Sequence, residues 1–329
     1  MTGPAPTLMR RRLGVGVVAL AAVAPMSRVG AGSWPERGVR LVTPAAPGSS
    51  TDLAARLYAE RLSSAWAQPV VVEPRTGADG VIAAEAMLGA RDGHTLLFGP
   101  AGVVTVTPLL RERMPFDATR DLVPLSLAAT DFLCMAVSTA GLEAASLADL
   151  VRAGRERPGA FTIAAGLGGL SLVLPAFLRE RGLSMAVASY RSPPDAIPDL
   201  VAGRLHVLLG PLAPMLPLAR DGRVRVLAVT NPERTPAAPE VPSVVEAGFP
   251  ELEVEGTLGV FGAASLPEEA RQRIGEAMMR AAAEPALVER LRRAGIVARA
   301  EAGEAFAGRI NRQRAHYAEM AARYGTRAS

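Results

Sequence analysis

The sequence predicts an α/β fold whose ligand loops lie at the ends of strands. Three observations carry this expectation. Short, β-branched apolar runs alternate with helical stretches of roughly 10–15 residues, the pattern of repeated βα units and a mostly parallel sheet. Loops rich in Gly, Ser and Pro follow several of those runs. Hydrophobic residues make up 49% of the 329 residues and aromatics only 4%, so the core is built from aliphatic side chains and alanine.

Taken in order, Val39 to Thr43 reads as a short apolar strand, Pro44 to Gly48 as a turn, and Leu53 to Leu62 as a helix. Ser49, Ser50, Thr51 and Asp52 are all good N-cap types. A strand, a tight loop and a helix start direct backbone N–H groups and a helix dipole at one point, which suits a carboxylate or phosphate. An ordinary capped βα connection has the same appearance. Pro69 to Glu73 reads as a strand, Gly80 to Ala90 as a small-residue helix, and Thr95 to Gly99 as a strand followed by the loop Pro100-Ala-Gly102. Leu122–Ala129 and Phe132–Val137 form two apolar strands in tandem. A helix capped by Ser146 runs to Arg157, and strand Phe161–Ala165 enters the glycine loop Gly166 to Ser171, with a helix over 172–181. Ala186–Tyr190, Leu205–Leu209 and Val224–Thr230 read as strands, with helices over 195–202 and 215–221 between them. Three helices close the chain, over 267–284, 285–294 and 303–324.

Several function classes are excluded. All 36 basic residues are arginine, so there is no Schiff-base lysine and no P-loop lysine. The single cysteine, Cys134, permits no intrachain disulfide. The three histidines, His94, His206 and His316, are far apart and show no metal-ligand spacing. The formal charge is +4, but Arg10, Arg11, Arg12 and Arg28 lie in residues 1–31, which carry no acid. Without them the chain is near neutral, which argues against a nucleic-acid partner. Arg10-Arg11-Arg12 ahead of the apolar run Leu13–Ala24, with small residues at Val29-Gly30-Ala31, reads as a cleavable signal peptide over 1–31. Export by the Sec or the twin-arginine route and a periplasmic location are therefore expected.

An ordered set of segments then resembles one family. The set is Val39–Asp52, Gln68–Gly80, Asp92-Gly-His-Thr-Leu-Leu97, Met114-Pro-Phe-Asp117, Tyr190, Leu227-Ala-Val-Thr230 and Pro236–Pro250. From about Trp34 onward the chain is similar to the substrate-binding proteins of tripartite tricarboxylate transporters, the Bordetella uptake gene family. The resemblance implies a type II periplasmic-binding-protein fold. Domain one is expected over 34–129 plus 232–329 and domain two over 130–231, with ligand in the cleft. It also implies a small organic carboxylate held by backbone amides and hydroxyls, no cofactor, membrane transporter subunits as partners, and a monomer.

The candidate ligand residues are Pro47, Gly48, Ser49, Ser50 and Asp52 in the first loop, and Ala101 and Gly102 in the second. Domain two supplies Gly166, Gly168, Gly169, Ser171, Tyr190 and Gly210. Departures from the family pattern are informative. Ser49 stands where the family has a second glycine, and the 166–172 loop lacks its usual polar residues. His206 and Gly210 replace two acids. A less polar distal end of the ligand follows from these losses. Arg191, after Tyr190, is a further carboxylate partner by type. Two other functions stay open. One is a periplasmic sensor that signals through a membrane kinase. The other is a serine hydrolase using Ser49 or Ser50 with His94 or His206 as base, although Pro47-Gly-Ser-Ser50 is not a nucleophile-elbow sequence.

Overall fold

The computed structural model describes residues 1–3, 34–166, 168–190 and 193–324. The signal-peptide segment after residue 3, Leu167, Arg191 and Ser192 lie outside these residues. Strand β1 (Val39–Thr43) leads into helix α1 (Ser50–Trp66), and β2 (Val70–Pro74) into α2 (Val81–Ala90). Strand β3 (Thr95–Pro100) is followed by two one-turn helices, α3 (Gly102–Thr105) and α4 (Thr107–Leu110). Two strands come next in tandem, β4 (Leu122–Asp131) and β5 (Leu133–Ser138). Then alternate α5 (Leu147–Glu156), β6 (Thr162–Ala165), α6 (Gly169–Glu180), β7 (Ala186–Val187), α7 (Pro193–Val201), β8 (Val207–Pro211), α8 (Met215–Arg220) and β9 (Val224–Val229). The chain continues through β10 (Thr257–Ala263), α9 (Glu268–Ala283), α10 (Pro285–Arg293), β11 (Ile296–Ala302) and α11 (Glu304–Tyr324).

The strands form two sheets, ordered β11-β4-β10-β3-β1-β2 and β7-β6-β8-β5-β9. Both are mixed, which corrects the expectation of mostly parallel sheets. The pairs β1–β2, β1–β3, β6–β7 and β6–β8 are parallel, whereas β10 runs against both β3 and β4, and β5 against both β8 and β9. The reason is the path of the chain. Strand β4 leaves the first sheet for the second through Asp131–Phe132, and β10 brings the chain back into the gap between β3 and β4.

Strands β10 and β11 are the elements that sequence patterning misses. Thr257-Leu-Gly-Val-Phe-Gly-Ala263 carries two glycines, which weaken a strand signal. Packing explains one of them. A Cβ at Gly259 would sit 2.4 Å from the Phe306 ring, so the ring of α11 occupies the space a side chain would need. Strand β11 alternates only weakly and is mostly half-buried.

Each sheet is covered by its own helices. Tyr58, Phe98, Leu125, Ile274 and Leu291 belong to one buried cluster on the first sheet, and Phe261, Phe306 and Ile310 to another. On the second sheet, Ile163, Val173, Phe177 and Val207 share a cluster with Val244, Phe249, Val254, Tyr317 and Met320. Segment 235–254 thus packs on the second sheet. Val244 N–H donates to the Val229 carbonyl (2.8 Å), and the Phe249 and Phe177 rings lie 6.3 Å apart. Helix α11 spans both sheets, with Phe306 on the first and Tyr317 on the second.

Candidate functional site

The first loop is held by its own side chains. Gly48 adopts φ +83°, a left-handed conformation that glycine takes without steric cost. Its N–H donates to Asp52 Oδ2 at 2.9 Å. Ser49 is the N-cap of α1: its Oγ accepts from Asp52 N–H (3.3 Å) and donates to the Ala46 carbonyl (2.8 Å). Arg56 Nε donates to Asp52 Oδ2 at 3.0 Å. Burial pushes the Asp52 carboxyl up, but the Arg56 bond, the Gly48 amide and the Arg56 charge together outweigh it and hold the group below the ordinary carboxylate range. The Gly48 amide, the Ser49 hydroxyl and one Asp52 oxygen are therefore engaged within the loop in this structure. Pro47 lies exposed at its tip. The donors that remain are the first-turn amides of α1 at Ser50 and Thr51, which have no intrahelical partner.

Ser50 leads to a residue that the sequence reading missed. Its Oγ donates to Asp131 Oδ2 at 2.7 Å. Asp131 ends β4 where the chain leaves the first sheet, and only 7% of it is exposed. Burial raises its carboxyl to about 6, against the pull of the Ser50 hydroxyl. Oδ1 of Asp131 and Oδ1 of Asp52 are both buried without a hydrogen-bond partner among the described residues. The Asp131 N–H donates to the Gly256 carbonyl at 2.7 Å. A Cβ at Gly256 would overlap the Asp131 carbonyl, so only glycine fits there. The available signal was a single acid between two apolar strands, which reads as a loop residue.

The second loop joins this line of contacts. Ala101 N–H donates to the Thr257 carbonyl (2.8 Å) and is not a free donor. Gly102 starts α3 and faces Gly168 of the second sheet's loop, whose Cα lies 4.0 Å from the position of a Gly102 Cβ. Gly168 has φ +67°. Helix α6 begins at Gly169, earlier than the predicted 172, so Gly169 and Ser171 lie in its first turn. A Cβ at Gly169 would meet Val254 at 2.8 Å and the Tyr317 hydroxyl at 3.1 Å. The Ser171 hydroxyl donates to the Gly168 carbonyl at 2.7 Å. Gly166 N–H donates to the Leu209 carbonyl (2.8 Å). The structure thus brings together Ser50, Asp131, Gly256, Thr257, Ala101, Gly102, Gly168 and Gly169, from both sheets.

It does not bring the remaining candidates into that line. Strand β7 ends at Val187, and the Tyr190 hydroxyl donates to Asp199 Oδ2 at 2.9 Å. Asp199 is also paired with Arg204. Gly210 sits inside the ladder opposite Cys134, itself a fully buried thiol. His206 immediately precedes β8, at the end of the strand away from Gly210, and its Nδ1 accepts from Thr162 N–H at 3.1 Å. Burial first, and then the charge of Arg157, lower its pKa. His94 packs on Trp34 with ring centroids 5.8 Å apart. Neither histidine reaches Ser49 or Ser50, whose hydroxyls are spent on Ala46 and Asp131, so the hydrolase geometry is not formed. Among the described residues, no group of three or more His, Cys, Asp or Glu is placed to hold a metal ion.

Comparison with known proteins follows the same line. A family model described as the tripartite tricarboxylate transporter family receptor matches residues 54–317. A UPF0065 protein of Bordetella bronchiseptica is 34% identical over 284 residues, covering 86% of this chain and 83% of the relative. The protein BugT of Bordetella pertussis is 32% identical over 248 residues, 74% of this chain and 76% of BugT. Among solved structures, an R. palustris protein with adipate superposes with a TM-score of 0.80 at 27% identity, covering 89% of this chain and 98% of that one. The periplasmic binding protein BugD superposes with a TM-score of 0.78 at 23% identity, over 90% of this chain and 100% of BugD. The fold is that of the periplasmic binding proteins, and these relatives are binding proteins, not enzymes. On sequence and structure alike, this chain belongs to the receptor family of the tripartite tricarboxylate transporters.

Proposed function

We propose that the protein is an exported receptor that captures a small organic carboxylate between its two sheets and delivers it to a tripartite membrane transporter. The observation that carries this reading is the meeting of Gly102, at the start of α3, with Gly168, just before α6, in the same line of contacts as the Ser50–Asp131 bond at the start of α1. Helix starts present N–H groups and a positive dipole end, and a ligand carboxylate supplies the matching charge. The adipate bound to an R. palustris relative supports a ligand with an aliphatic middle. The apolar content of the 166–172 loop agrees with it.

The two lobes in this reading are 34–131 with 256–324, and 133–254, the second boundary following the packing of Val244 and Phe249 on the second sheet. Residues 1–31 act as the export signal, and the mature protein works in the periplasm as a monomer.

A thermal-shift screen of the mature protein against dicarboxylates, tricarboxylates, aromatic acids and their amides tests the proposal. Ligand at one hundred times its Kd adds about 2.7 kcal/mol to stability. A dicarboxylate shift that is absent with the matching diamide is the expected result. Equal shifts with acid and diamide, or none with any acid, would reject the carboxylate reading.

A further inference from the structure

Behind the cleft loop lies a second cavity, of about 510 Å³, between α4, α11 and the turn over 114–121. That size falls within the range of small-molecule sites. Val104, Pro108, Leu109, Met114 and Phe116 give it an apolar side, and its charged lining is Asp117, Asp121 and Arg120 of the turn and Arg314 of α11. The guanidinium is half-buried and makes no ion pair among the described residues. Its three hydrogen bonds are long and go to neutral oxygens: Val104 carbonyl at 3.3 Å, Asn311 Oδ1 at 3.3 Å and Ala118 carbonyl at 3.4 Å. Arg309, on the same helix, shows the contrast, with Glu255 and Glu301 both paired to it. Burial pulls the Arg314 pKa down, as for a cation that lacks a close counter-charge, although the charge of Asp117 pulls the other way.

The acids at the rim are already engaged. Asp117 Oδ1 accepts from Thr119 N–H (2.8 Å), the Thr119 hydroxyl (2.5 Å) and Arg120 N–H (3.1 Å). Asp121 accepts from Asp117 N–H (2.8 Å) and from Arg120 Nε (2.9 Å). These bonds give the Met114-Pro-Phe-Asp117 segment its shape, and Arg120 is paired with Asp121, which leaves Arg314 as the lining cation without an ion pair among the described residues.

We infer that this cavity is a second, separate anion site, which takes a small monocarboxylate with a short apolar or aromatic body. The carboxylate pairs with the fork of Arg314, and the body lies against Leu109, Met114 and Phe116. A guanidinium pairs a carboxylate through two parallel N–H donors, so the ligand replaces the long bonds to Val104 and Ala118 with charge-assisted ones. Val104 lies in α3, whose other end carries Gly102, so the site sits at the back of the cleft loop without sharing its donors.

The test uses 4-fluorobenzoate and 4-fluorobenzamide with the purified protein, read by fluorine NMR, alongside adipate titrated by calorimetry. The acid is expected to bind and the amide not to bind. Arg314→Gln weakens 4-fluorobenzoate at least tenfold and leaves the adipate titration unchanged, which also shows that the variant is folded. Met114→Trp, which narrows the cavity and keeps the guanidinium, weakens it as well. Displacement of 4-fluorobenzoate by adipate, equal binding of acid and amide, an unchanged affinity in Arg314→Gln, or no binding of 4-fluorobenzoate at all would each overturn the inference.

Discussion

Asp131 is the residue on which the electrostatics of the cleft turn. A buried carboxyl raised to about 6 is still largely ionised at neutral pH, and it lies one hydrogen bond from the helix start proposed to receive an anion. Its native pKa lies above the unfolded value of about 3.9, so the native state binds more protons between the two values. Stability from this group is therefore present below about pH 4 and is lost as pH rises through 6. Asp131→Asn removes that slope and is expected to be about 2 kcal/mol more stable than the parent at pH 7, relative to pH 4. Denaturant unfolding of both proteins at the two pH values checks this. The same charge opposes a carboxylate ligand, so adipate affinity should rise several-fold between about pH 7.5 and 6, where adipate stays largely a dianion, in the parent and stay nearly flat in Asp131→Asn. A calorimetric pH series reads that difference. Ser50→Ala leaves Asp131 with neither oxygen partnered, and should cost roughly 1–3 kcal/mol in unfolding at pH 7.

At the scale of elements, α11 packs on both sheets, and its Phe306 dictates a glycine of β10. Phe306 fills the space beside Gly259, so Gly259→Val forces the ring to move and should cost at least ~1–3 kcal/mol, seen as a lower melting temperature. Tyr317, 4% exposed, packs against Gly169 at the start of α6. Tyr317→Ala removes a buried ring and should cost about 3–5 kcal/mol by the same measurement. Elements with a local signature were legible in the sequence. Ser49 and Ser146 cap α1 and α5, and the apolar run of β4 and β5 shows in the composition. Strand β10 was not legible, because its Gly259 is required by Phe306 and the Gly256 just before it by Asp131, residues about 47 and 125 positions away that no local pattern contains. The same limit applied to the site. The loops at Gly48, Gly102 and Gly168 were correctly placed at strand ends. Which amides stay free depends on partners such as Thr257 for Ala101 and Leu209 for Gly166, and those are set by sheet pairing.

For the whole molecule, the compact unit from Trp34 onward joins two mixed sheets through Asp131–Phe132 and through the return after Val254. Helix α11 contributes Phe306 and Ile310 to one core and Tyr317 and Met320 to the other. Opening of the cleft must therefore separate Gly102 from Gly168 while α11 keeps its hold on both sides, which favours a small hinge movement over a wide one. The glycine pair is also the place where the central claim is most exposed. The most direct measurement is calorimetric titration of adipate into the mature protein and into Gly168→Trp, with thermal melting of both. Saturable binding to the parent is expected, with a loss of at least tenfold in affinity in the folded variant, because the indole fills the space between Gly102 and the start of α6. Unchanged adipate binding in a folded Gly168→Trp would contradict it.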